Sequence, residues 1–104
     1  MKPKRGKIRS LTIIGRRWFD RKNGNTYCSA VMLVNGVAVG QTGPAYGYDD
    51  HYEWRAFSWL EANGFVTDRE RHANGSHEPP WRWCERHGIA YWRNAFDLAR
   101  KGDL

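Results

Sequence analysis

The residues best suited to chemistry lie between positions 71 and 87, RHANGSHEPPWRWCERH, which holds His72, His77, Cys84 and His87. Cys84 and His87, three apart, would share one side of a helical turn. A loop carrying His72 and His77 could then complete a tetrahedral zinc set. Structural zinc sites show tighter ligand pairs at both ends, and the H-x4-H spacing of the first pair is loose. Surface histidines and a buried thiol are the competing reading.

A second cluster, GYDDHYE, brings together Asp49, Asp50, His51 and Glu53, a set that could hold Mg²⁺ or act as acid and base in a metal-dependent nuclease. Helix starts attract acids for electrostatic reasons, however, and Asp50 with Glu53 three residues later also suits a capping box. No second carboxylate cluster faces this one, so no catalytic residue is assigned. Cys28 falls in an uncharged strand, where burial raises a thiol's pKa and makes it inert. Cys84 has Arg82, Arg86 and His87 close in sequence, which would favour a thiolate if they converge. The chain has no G-x-S-x-G, no P-loop and no dinucleotide fingerprint, so no cofactor is expected and a non-enzymatic role is favoured.

The alternative to catalysis is binding, and GRRWFDRKNGNTY at 15–27 carries that reading. Cations interleaved with flat rings suit nucleic acid, the cations neutralising phosphate and the rings stacking on bases. Strand residues alternate between faces, so Trp18 and Phe19 cannot both meet one helix, nor can Arg16 and Arg17. If helices cover a single face, the other carries an aromatic, an arginine and a residue of the Tyr27 strand. The candidate binding set is Arg16, Arg17, Trp18, Arg21, Lys22 and Tyr27, joined by Lys4, Arg5 and Lys7 of a flexible basic arm over residues 1–7. A Trp- and Arg-rich surface of this kind would equally serve a protein or nucleoprotein partner, or a homodimer joined through the sheet.

The elements that must position these residues follow from local pattern. KIRSLTIIGRRWF predicts a strand over about 8–20, closed by Asn23-Gly24. TYCSAVMLVNGVAVGQT predicts two more, 26–34 and 37–42, around the hairpin dipeptide Asn35-Gly36. GPAYGYDD then interrupts the sheet. Tyr52, Ala56, Trp59 and Leu60 form a helical stripe ending at Asn63-Gly64. Residues 66–78 are polar and loop-like. Pro79-Pro80 opens a short helix to about His87, which Gly88 closes. Ile-Ala-Tyr-Trp after that glycine favours a strand over 89–96, although Phe96, Ala99 and Arg100 would also suit a helix. The expected architecture is α+β: a three-stranded antiparallel meander with one or two helices on one face, and an added C-terminal strand.

Composition is consistent with one domain over 1–104. The apolar fraction of 40%, with six tryptophans, excludes a disordered chain, and the length supports one core. No apolar run reaches the roughly 20 residues of a membrane helix, and no secretory h-region follows the basic start, so a cytoplasmic location is expected. The closing KGDL is similar to an ER-retention tail but lacks the secretory signal that would give it meaning. The net charge of +6 is unevenly placed. Residues 1–25 hold nine Lys or Arg against one acid, while 26–104 hold eight against ten. The excess therefore sits with the hairpin, as an electrostatic footprint for an anionic partner would.

Three features together, the G-R-x-W-F…G-N-T-Y hairpin, the G-Y-x-D-x-Y helix opening and the basic K-x-D-L end, resemble a group of small proteins encoded by phages and prophages. The resemblance covers most of the chain and carries over no catalytic residues. It implies a small cytoplasmic protein of a mobile element, which would act stoichiometrically on a host machine. An anti-CRISPR-like inhibitor of a defence nucleoprotein fits that context.

Overall fold

The computed structural model describes residues 8–47, 51–71 and 77–104, the side chain of Asp103 excepted. The basic arm expected at 1–7 lies outside these residues, as do Asp49, Asp50 and His72. Strands β1 (Ser10–Asp20), β2 (Asn25–Val34) and β3 (Val37–Tyr46) form the antiparallel meander. Helices α1 (His51–Ala62) and α2 (Pro80–Arg86) follow, then strand β4 (Ala90–Leu98) and a 3₁₀ turn at Lys101–Asp103. The sheet order is β3-β2-β1-β4, and β4 lies parallel to β1, making the sheet mixed.

Local chemistry accounts for the turns. Asn35 and Gly36 both have positive φ (52° and 81°), the requirement of a tight hairpin turn whose twist matches its strands. The β1–β2 turn is longer, over 21–24, and Asp20 organises it by accepting from the N–H groups of Lys22 (3.0 Å) and Asn23 (3.3 Å) and from the Asn23 amide (2.8 Å). Both helices end in the same double bond around a glycine. Phe65 and Gly64 donate back to Leu60 and Glu61, and Ile89 and Gly88 to Cys84 and Glu85.

Two expectations need correction. Gly43-Pro44 does not stop β3, which continues to Tyr46. A bulge opposite Cys28 and Ala30 accommodates the proline on this edge strand, and the Ala30 N–H is taken instead by Thr42 Oγ1 at 2.9 Å. Glu53, whose expected cap partner Asp50 lies outside the described residues, is buried, accepts from the Tyr91 hydroxyl, and pairs with Arg93 at 3.1 Å, tying α1 to β4. The described part of 66–78 is not simply a polar loop. Val66 is in the core, and Glu78, fully buried, is gripped by Arg86 through bonds of 2.8 and 2.9 Å and accepts from the Glu70 N–H. Those bonds outweigh burial and hold the Glu78 carboxyl at about 2.

The core lies between one sheet face and the helices. Leu11, Ile13, Ala30 and Met32 meet Tyr52, Ala56, Phe57 and Leu60 of α1, with Trp83 of α2 edge-on to Phe57. The helix approaches closely because the sheet presents glycine beneath its rings. A Cβ on Gly15 would stand 2.4 Å from the Tyr52 ring, and one on Gly40 would stand 2.3 Å from Trp59.

Candidate nucleic-acid interface

The register fixes which side chains share a face. Arg17 is paired with Cys28 and Asp97, residues of the helix-covered side, whereas Arg16 pairs with Ser29 and Phe96 on the opposite side. Both helices pack on the first side, so the second is uncovered among the described residues. At its hairpin end Trp18, Tyr27 and Tyr46 occupy one cross-strand row over β1, β2 and β3. The Trp18 and Tyr27 rings stack with centroids 6.0 Å apart, and Tyr46 meets Tyr27 edge-on at the same distance. Tyr46 is 52% exposed, so the row is a surface and not a core.

The predicted binding residues thus separate. Arg16, Trp18 and Tyr27 come together on the open face, and Arg21 and Lys22 are exposed in the turn at its end. Arg17 does not join them. Its Nε lies 3.2 Å from Asp97 Oδ1, outside hydrogen-bond geometry, on the helix side. Lys4, Arg5 and Lys7 lie outside the described residues. Sequence reasoning missed Lys101, whose Nζ sits 5.6 Å from the Tyr27 centroid, a cation over a ring face. Nothing local marks it, because the C-terminal turn reaches this row only once β4 has paired with β1.

Charge on this face is one-sided. Among its described strand residues the only carboxylate is Asp20, and the turn occupies that group, the Asn23 amide holding it below the usual carboxylate range. Five further carboxylates belong to the helix side: Glu53 is buried there, Asp97 faces Arg17, and Asp68, Glu70 and Glu78 surround Arg86. Ser29, beside Arg16, is buried, and its hydroxyl has no hydrogen-bond partner among the described residues.

Cys84 is in the core, where burial, with Glu53 adding to it, pushes the thiol up to about 12; Arg82 and Arg86 turn to Glu78 rather than to the sulfur. His77 contacts Arg71, and His87 packs on the Trp83 ring. Among the described residues no three His, Cys, Asp or Glu side chains gather to hold a metal. Burial likewise raises the Cys28 thiol, against the pull of Arg55. A groove of about 510 Å³ runs between α1 and the β3 edge, lined by His51, Trp54, Arg55, Ser58 and Trp59 among others, with no carboxylate in its described lining. No helix among the described residues is long and apolar enough to cross a membrane. Comparison with protein-family models, curated proteins and solved structures finds no match.

Proposed function

We propose that this is a non-enzymatic binding protein that engages nucleic acid, free or within a nucleoprotein complex, through the open face of its sheet. The observation that carries the reading is the Trp18–Tyr27–Tyr46 row, flanked by Arg16 and Lys101, with the turn-bound Asp20 the only carboxylate among the described strand residues of that face. Rings on a sheet offer stacking surfaces to bases, and the cations beside them offer counter-charge to phosphate. Action is stoichiometric, as expected of a small mobile-element protein directed at a host machine.

The test is fluorescence anisotropy with labelled single-stranded DNA, duplex DNA and RNA over a salt series. The expected result is binding that weakens steeply as salt rises, since each phosphate contact releases counterions. Absence of binding to all three at 50 mM salt overturns the reading and assigns the face to a protein partner, as in an anti-CRISPR-like inhibitor that does not touch nucleic acid.

A further inference from the structure

Two further rings stand on the same open face, on β4. Trp92 is 68% exposed and Phe96 is 53% exposed, and their partners on β1 are Thr12 and Arg16. Phe96 is therefore adjacent to Arg16 and diagonal to Trp18, whose own partner is Leu98. The rings run in one continuous path: Tyr46, Tyr27 and Trp18 across three strands, a step to Phe96 on the fourth, then along β4 to Trp92. With strands about 4.8 Å apart and residues about 3.3 Å apart along a strand, the path is about 30 Å long. Arg16 sits at its corner and Lys101 near one end.

Resting on the reading of this face as a nucleic-acid surface, we infer that its ligand is an unpaired strand that follows this bent path, with Phe96 and Trp92 extending the footprint beyond the hairpin. A duplex keeps its base faces stacked inside. Rings standing on a broad four-stranded sheet reach neither those faces nor, as a helix would, the floor of a groove. An unpaired strand presents both a π-face for each ring and a phosphate for each cation. One base per ring gives a footprint on the order of five nucleotides, at the short end of the range for single-strand modules. Charge favours this occupant over a second copy of the chain, because each copy carries +6 and the cations Arg16 and Lys101 stand beside the path.

The experiment is a length series of fluorescein-labelled oligo-dT and oligo-rU, from two to ten nucleotides, against the wild type and the single variants W92A and F96A. Both side chains are mostly exposed, and circular dichroism with thermal melting verifies that the variants remain folded. Wild-type affinity should climb with length and level off near five nucleotides. Each variant should bind the longest strands roughly 5- to 100-fold more weakly and level off at a shorter length, with affinity for dinucleotides unchanged. Wild-type affinity of both variants for every length would end the path at the hairpin and overturn the inference while leaving the proposed function standing. Equal affinity for a duplex of the same length would overturn the unpaired ligand. A concentration-dependent dimer in sedimentation that W92A dissolves, with oligonucleotide affinity unchanged, would assign these rings to self-association instead. Failure of every oligonucleotide to bind would remove the proposed function and the path together.

Discussion

Replacing Arg16 and Arg17 one at a time separates binding from folding, because neighbours in a strand serve opposite faces. Arg16 stands on the open face between Ser29 and Phe96; Arg17 faces the helical side and Asp97. If Arg16 contacts a phosphate of a single strand, it contributes about −0.7 to the slope of log K against log salt. Raising salt fourfold, from 50 to 200 mM, costs roughly 2.6-fold in affinity per such contact. R16A should therefore flatten the slope by about 0.7, weaken binding most at low salt, and leave the melting temperature near wild type. R17A should keep the wild-type slope. Its ion-pair partner Asp97 is 82% exposed, so loss of the pair costs at most about 1 kcal/mol of stability. Anisotropy titrations at four or more salt concentrations, with melting curves on the same preparations, measure both quantities. A flattened slope in R17A with R16A unchanged would refute the assignment of faces to functions. A double variant would not discriminate, since it removes a binding group and an ion pair together.

Two further predictions concern the scaffold. G15A places a methyl group against the body of the Tyr52 ring and should cost about 1–3 kcal/mol by overpacking, read as a lower urea midpoint; G43A, with nothing within 4 Å of its Cβ, should be near neutral, and equal effects of the two would discount close approach as the reason for Gly15. For Glu78, the folded-state carboxyl at about 2 against an ordinary 4.5 contributes about 3 kcal/mol that is fully present above pH 4.5 and is lost as pH falls towards 2. E78Q should thus melt below wild type at neutral pH, with the gap closing as acid is added, and a gap independent of pH from 7 to 2 would contradict the role given to the Glu78–Arg86 pair.

What the sequence disclosed was what short-range chemistry decides. Asn35-Gly36 announces a turn because both residues tolerate positive φ, and Gly64 and Gly88 end helices for the same reason. The α1 stripe is legible because Tyr52, Ala56 and Leu60 are buried at the spacing of a helical face. Alternation alone separates Arg16 from Arg17, with no knowledge of the tertiary fold. The position of β4 is different. That it forms a strand could be weighed from Ile-Ala-Tyr-Trp, but its parallel pairing with β1 depends on the chain crossing the sheet, for which no local residue is responsible. Trp92 and Phe96 were hidden by that gap, since two-residue periodicity in AYWRNAFDL gives them a common face only once the segment is known to be a strand. The tie made by Glu53 is hidden for a related reason: its partners Tyr91 and Arg93 are about forty residues away in sequence.

The crossing also accounts for why one face is left open. β3 and β4 are the two edges of the sheet, and the chain between Tyr46 and Ala90 must travel from one to the other. Both helices and the Glu78–Arg86 loop belong to this connection, and its apolar side chains pack on one face only. The connection also carries eight of the nine acids that follow Asp20 up to Asp97, so the segment that closes the core takes most of the negative charge with it. Of the described residues outside this connection and the strands, the C-terminal turn supplies the second face with Lys101. Rings and cations can therefore accumulate on that face without competing for core volume, and each can be removed without opening a cavity. A binding surface built this way should lose affinity residue by residue while the fold persists, the opposite of what substitution of Leu11 or Phe57 in the core would do.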